Sequence, residues 1–444
     1  MKQMMGSSQS IALYYPFRFI WLLLISIIGI LPVYGQRVLT LDNCVRIALK
    51  ENLSIQTASN SIQSAKLAHD ELRNSILPQI KVEGKASHSP HSNRFGYDPA
   101  ITDGGQYSAQ VVVQEPLFDG GARDIKSNQL QVEIERTQAE RRKSERDVQY
   151  DVTIAFVNRL QSQSELSIQE QRVGELSNYL DLVKHLSLGG GINYTDVLKT
   201  EVTFENEKVV FQKSIQTNVD AKFSLAEVMG TPEDTAFSIV GTLVTPDSSA
   251  IGSLLQDVPM DSVHNIDLKI ADFNLRKSLF DVDIAHTEKF PSISLTGDAG
   301  LLTSGDNLRL PTDKRVSMLG YSVGISVENL LFNWGITDLH IQQQHLAADN
   351  MRLSYEQQRR GLLAEIKRLR SQIKSLVDQL FSIDRTLKKA EDNYALTKAQ
   401  YAGGGTTALE VLSAEQLLSE NRLAGIQTRA ELIRLIAKIE QLKQ

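Results

Sequence analysis

Histidine, cysteine and carboxylate are the side chains from which a metal or catalytic centre would be built, and in this 444-residue chain they do not converge. Eight histidines are scattered along it. "HSPH" sets His88 and His91 close together, but no cysteine or carboxylate cluster accompanies them, as a metal site would need. His340 and His345 lie five apart and so fall on different faces of a helix. The single cysteine, Cys44, falls in the apolar pattern Leu41, Cys44, Val45, Ala48, Leu49, which marks it as a small core residue. "TLDNC" lacks the small apolar residues that lipid attachment reads, and a lone cysteine forms no intrachain disulfide. No catalytic arrangement, metal site or cofactor site is legible, and an enzyme is the weaker class.

The spacing does offer conformational and electrostatic chemistry. "GGGINYTDVL" sets Gly189, Gly190 and Gly191 ahead of Thr195 and Asp196, and "GGGTTALEVL" sets Gly403, Gly404 and Gly405 ahead of Glu410. Glycine permits the positive backbone angles of a tight helix reversal. An acid just inside a helix start favours the helix dipole. At "PLFDGG" and "LLFNWG", Phe118, Asp119, Gly121 and Phe332, Asn333, Gly335 mark the passage from strand to helix. The rings suit a membrane interface, and Asp119 and Asn333 are good N-caps for the helices that follow.

The elements that hold these residues come in two sets. "NLSIQTASN" at Asn52 faces "NIDLKIADF" at Asn265, and "LPQIKVEG" at Leu77 faces "FPSISLTG" at Phe290. "YSAQVVVQEPLFDGG" at Tyr107 faces "YSVGISVENLLFNWG" at Tyr321, and the two triple glycines face each other at the same offset. A constant offset with one residue of slippage is a tandem duplication. Within each half, two segments alternate apolar and polar with a period of two, as in Ile80, Val82, Gly84, Ala86 against Gln79, Lys81, Glu83, Lys85. Each is about the 9 to 11 residues that a tilted strand needs to cross a bilayer. A half-buried soluble sheet alternates in the same way, so periodicity alone leaves both readings open.

The remainder is helical in pattern. Val152, Leu166, Val173 and Leu180 recur at heptad spacing beside Leu176 and Val183 in a long helix from Arg123 to Leu186, roughly 95 Å at 1.5 Å per residue. Shorter helices run Leu41 to Ser75, Thr195 to Met229 and Ser262 to Thr287, and the second half repeats the pattern from about Thr337 to Ala399 and Thr406 to Leu442. Their lengths imply columns of short helices stacked end to end beside each long one. The sum of lengths pairs 195–229 with 262–287, and the C-terminal helix with the N-terminal one.

The first 35 residues differ in kind. Lys2 and Arg18 flank an apolar run, Phe19 to Leu31, that is shorter than a membrane span and ends at "PVYGQ", a signal peptide with cleavage expected before Gln36. Removing Lys2 and Arg18 takes 47 basic residues to 45 against 53 acidic, a formal charge of −8. Nucleic-acid binding, which needs a basic surface to displace counterions, is disfavoured. If the four strands lie in a membrane, their unpaired edges make oligomerisation obligatory. Two copies would give eight strands and a plugged interior, three would give twelve and room for a passage.

The order helix, "LPQ", strand pair, "PLFDGG", long helix, glycine turn with "TDVL", then the same again, resembles the TolC family of outer-membrane efflux proteins over essentially all of the mature chain. The resemblance implies a mainly α fold with a β-barrel portion, in which long coiled-coil hairpins and four membrane strands per chain close as a trimeric α/β barrel. The domains then read 1–35 signal peptide and 36–229 first repeat, with strands about 78–88 and 107–117, hairpin 122–229 and tip 186–195. A segment 230–261 lies at the equator. The second repeat is 262–444, with helix 262–287, strands about 291–301 and 320–331, hairpin 335–442 and tip 400–406. It further implies a homotrimer embedded in outer-membrane lipid, whose tips meet a periplasmic adaptor and, directly or through it, an inner-membrane pump. The exported cargo would be small molecules. Alternatives are the exit duct of a type I protein secretion system and, more remotely, a periplasmic coiled-coil adaptor. An acidic ring found in some relatives would fall at Ala395, Leu396 and Thr397, with Glu391 and Asp392 a turn earlier, so this chain does not secure it.

Overall fold

The computed structural model describes residues 37–89, 104–189, 192–232, 236–245, 248–255, 265–305 and 317–444. The expected signal peptide, the segments 90–103 (with His91) and 306–316, and Gly190 and Gly191 lie outside the described residues.

Two helices of equal length dominate, α3 (Ala122–Leu188) and α7 (Ile336–Ala402), each of 67 residues. Neither contains proline, and each spans about 100 Å at 1.5 Å per residue. Their partners are α4 (Tyr194–Val228) and α8 (Ala408–Lys443), which run back along them as hairpins. At the other end α1 (Leu41–Glu51) and α2 (Leu53–Asn74) pack on α3, while α6 (Ile266–Thr287) packs on both α3 and α7. Of the heptad residues, Val152, Leu176, Leu180 and Val183 are buried, whereas Leu166 and Val173 are half-buried.

The N-terminal helix, expected as one piece, is two. Asn52 adopts an extended conformation, closes α1 through its N–H to Ala48 O (2.9 Å), and caps α2 by accepting from Ser54 N (2.8 Å). A short amide side chain that bonds the local backbone competes with helix continuation. Its repeat partner Asn265 likewise caps the start of α6, accepting from Leu268 N at 3.0 Å.

The stacking of short helices also differs from the length-based expectation. The C-terminal end of α4 meets α1: Leu225, Ala226 and Met229 share a core with Cys44, Ala48, Val152 and Phe156. Gly230, at φ +77°, ends α4 against Glu51. The end of α8 meets α6, where Asn265 Nδ2 donates to Leu442 O at 2.8 Å. Each repeat therefore closes on itself. Because α4 and α8 have 35 and 36 residues, length could not separate the two pairings. At this height a parallel bridge between β1 (Arg37–Leu39) and β4 (Phe237–Ile239), together with the short α5 (Ser248–Leu255), girdles the columns.

The remaining strands are β2 (Gln79–Ser89), β3 (Gly104–Phe118), β5 (Ser292–Gly305) and β6 (Ser317–Glu328), in the antiparallel order β2-β3-β5-β6. The repeats thus join in mid-sheet, with Val111 opposite Ala299. Cross-strand partners share a face, and one face is mostly apolar: Val82–Val111–Ala299–Tyr321 form one row, Leu295–Ile325 and Leu301–Leu319 others, with Glu115 beside Leu295 as the exception at the end next to the helices. The opposite face carries Lys81, Glu83, Gln110, Thr296 and Asp298, with Val112, Leu302 and Met318 as apolar positions and Ser322 hydrogen-bonded to Asp298. Among the described residues no strand pairs with the free edge of β2 or of β6, and Leu319 and Tyr321 are 82% and 84% exposed.

The sheet meets the helices at a glycine whose side of the backbone is full. A Cβ on Gly120 would lie 2.8 Å from Phe290 Cβ and 2.9 Å from Thr287 O, and its φ is +71°. Gly121 has φ +86° but open space around it. Gly121→Ala should therefore cost about 1 kcal/mol of backbone strain, and Gly120→Ala distinctly more. Thermal unfolding midpoints of the two variants in detergent check the order, and equal midpoints would remove the steric argument.

Candidate functional sites at the two ends of the helical columns

At the sheet end, the residues placed at the junctions come together as adjoining turns, with different roles from those expected. The N-cap positions of α3 and α7 are Gly121 and Gly335, both left-handed, and neither Asp119 nor Asn333 occupies them. Two glycines, or Trp334 at φ 59° with Gly335, turn the chain between strand and helix and carry the cap past the polar residue. Asp119 instead anchors the first turn, its carboxylate accepting from Arg123 N (3.2 Å) and Nε (2.6 Å), while Arg123 Nη1 donates to Pro116 O. Asn333 donates to Thr337 Oγ1 at 2.8 Å. Phe332 is exposed with its ring edge against Trp334 at 4.8 Å, and Leu330 and Leu331 beside them are exposed too, so an apolar collar sits where the sheet ends. Phe118 is partly exposed at the matching point. Trp334 and Gly120 were not singled out in the sequence, although both stand in the quoted motifs.

At the far end each hairpin reverses. The second reversal is a Schellman motif: Gly405 N donates to Gln400 O (2.9 Å), Gly404 N to Tyr401 O (3.0 Å), and Gly404 has φ +75°. Gly403 and Gly405 have no positive φ, and Gly189, at φ −78°, ends α3 without one. Only one of the four described tip glycines thus needs the conformational freedom assigned to all of them. The helices that leave the tips start on Asn193, whose side chain accepts from Thr195 N and Oγ1, and on Thr407, which accepts from Glu410 N. Asp196 and Glu410 lie in the first turns, where a carboxylate faces the positive end of the dipole.

Tyrosine joins the two tips. Tyr179 of α3 and Tyr401 of α7 stack at 5.4 Å with a 58° tilt, and Tyr179 Oη donates to Ala408 O at 3.4 Å. Val183, Val197, Ala408 and Val411 complete this core. Burial pushes the Tyr179 hydroxyl well above the ordinary tyrosine range. The pair escaped the repeat comparison because Asn393 and Ser187 stand at the equivalent positions of the other half. Leu188, Tyr194 and Leu409 point outward. Glu391 lies 3.8 Å from Arg422 of α8.

A lipid-type sheet face joined to paired helices about 100 Å long, reversing at a common tip, defines the subunit of an outer-membrane channel that reaches into the periplasm. The model of the outer membrane efflux protein family matches residues 44–230 and 262–442, the two repeats, and the chain belongs to that family. The cation efflux system protein CusC of Escherichia coli O157:H7 is 22% identical over 396 residues, 87% of this chain and 83% of the relative. The probable efflux pump outer membrane protein TtgC of Pseudomonas putida is 20% identical over 410 residues, 89% and 82% of the two chains. Among solved structures, the outer membrane protein VceC of Vibrio cholerae superposes with TM-score 0.74 at 18% identity, covering 91% of this chain and 96% of its own. The CmeC outer membrane channel of Campylobacter jejuni gives 0.75 at 13%, covering 91% and 85%. The protein is an outer-membrane efflux channel component.

Replacement of the tip glycines should separate their roles. Gly404→Ala forces a left-handed alanine, at about 1 kcal/mol, and should speed amide exchange at 400–410. Gly189→Ala should leave exchange beside the first tip unchanged, and a rise there equal to that of the Gly404 variant would show that both turns need glycine.

Proposed function

We propose that three copies of this chain close one duct, that its tips dock a periplasmic adaptor fed by an inner-membrane pump, and that the duct exports small molecules without catalysing a reaction. The open edges of the sheet carry the reading. In hydrocarbon each unsatisfied backbone group costs several kcal/mol, so β2 of one copy must pair with β6 of the next. About eight strands make the smallest membrane barrels, filled with side chains, whereas the twelve from three copies leave a lumen. The one-sided apolar face fits the lipid side and the polar face, with Lys81, Glu83 and Asp298, the lumen.

The tips support the docking part. Gly189, Gly190, Gly191, Thr195 and Asp196 on one hairpin, and Gly403, Gly404, Gly405 and Glu410 on the other, form the periplasmic end, where Leu188, Tyr194 and Leu409 offer exposed apolar contact beside the first-turn acids. The proteins named as relatives are an efflux component for cations and one for an efflux pump, which favours small cargo over secreted protein.

Native mass spectrometry in detergent should give a trimer, and a stable monomer or dimer would overturn the duct. In a planar bilayer the trimer should show small, mostly closed conductance steps, whereas a large and constantly open pore would contradict closed tips. A deletion strain should become more susceptible to part of a broad compound panel.

A further inference from the structure

A charged cluster lies buried in the columns, about 25 Å along α3 from the first tip and about 12 Å along α8 from the second. Arg172 of α3 stands 3.3 Å from Glu207 Oε2 of α4 and 3.2 Å from Glu415 Oε1 of α8, both measured from the same Nε. The two carboxylate side chains are 7% and 5% exposed. One N–H cannot satisfy two carboxylates, and its alignment to both is poor. Glu207 Oε1 and Gln169 Oε1, also buried, have no donor. The site therefore holds one positive and two negative charges in a largely buried joint, with Glu207 Oε1 left unpaired. A proton on either carboxyl would balance the charge and supply a missing O–H.

We propose that Arg172, Glu207 and Glu415 form a proton-operated joint: with one carboxyl protonated it holds α8 against the α3–α4 hairpin, and with both ionised it loosens that contact just above the tips. Position gives the joint its leverage, because α8 belongs to the second hairpin and α3 and α4 to the first. Among the described residues Arg422 of α8 with Glu175 of α3, at 3.7 Å, also ties the two hairpins by charge.

The charges around the cluster keep Glu415 as the group that titrates. From α3, Glu175 faces it besides Arg172; from α4, Glu207; and from α7, Tyr394; further along its own helix Arg422 is engaged with Glu175 at 3.7 Å and with Glu391 of α7 at 3.8 Å. Burial pushes the Glu415 carboxyl up to about 7, with Glu207 and Glu175 adding to the rise and Arg172 opposing it. Burial also pushes Glu207 up. A carboxyl raised in the packed state binds its proton more tightly there than when exposed. Its contribution to the joint is complete below the ordinary carboxylate range and lost as pH rises through about 7. Acid tightens the joint, and alkali loosens it.

Full-length trimers carrying Cys44→Ala and a reporter cysteine at Ala414, buried beside Glu415, test this by maleimide labelling, normalised to a cysteine at exposed Gln416 to cancel the reagent's own pH dependence. The normalised rate should rise several-fold between pH 5.5 and 8, and the rise should vanish in Glu415→Gln. If that variant fails to assemble, Glu207→Gln, which leaves Arg172 to Glu415 alone, should move the midpoint to lower pH. A flat profile in the parent trimer, an unaltered rise in Glu415→Gln, or an unmoved midpoint in Glu207→Gln would overturn the joint. Opening frequency in a bilayer should follow the same profile, a part that rests on the duct reading. Labelling that responds while conductance does not would count against the joint as a control of the duct and leave the duct itself standing.

Discussion

A sheet with two bare edges and one apolar face has no stable place as a monomer in either water or lipid. In water it exposes rows such as Val82–Val111–Ala299–Tyr321, and in lipid the unpaired N–H and C=O groups of β2 and β6 are the larger cost. Everything else in the chain is compatible with a ring of copies that removes both problems. In the proposed ring the apolar face turns out, the edges pair between neighbours, and the helices continue the ring beneath.

Duplication makes such a ring economical to build. Each repeat supplies two strands, one helix of 67 residues and a hairpin that returns to its own first helix, and the two halves are sewn together by β3 against β5. The symmetry is not complete. Among the described tip glycines, Gly404 of the second tip has a positive φ whereas Gly189 of the first does not. The aromatic contact between Tyr179 and Tyr401 has no repeat counterpart, because Asn393 and Ser187 stand at the equivalent positions.

Two kinds of contact bind the hairpins near the tips. The Tyr179–Tyr401 core is apolar and indifferent to ionisation near neutrality. The Arg172–Glu207–Glu415 cluster depends on protonation, because its charges do not balance and its carboxylates are buried. A closed end secured by one constant and one adjustable contact can stay assembled while its grip changes.

Much of the architecture was legible in the residues. Alternation at Ile80 and Val82, heptad spacing from Val152 to Val183, the constant offset between halves and the glycine tips located the strands, columns and reversals. These signals are local or periodic, and each needs only one segment or one comparison to be read. The caps at Gly121 and Gly335 in place of Asp119 and Asn333, the pairing of α4 with α1 and of α8 with α6, and the buried joint needed the tertiary structure. Those features depend on which backbone fills a space, as Phe290 does beside Gly120, or on side chains brought together from distant turns, as Arg172, Glu207 and Glu415 are. Helix lengths of 35 and 36 residues, or a glutamate at a helical position, carry no mark of the neighbour they will meet.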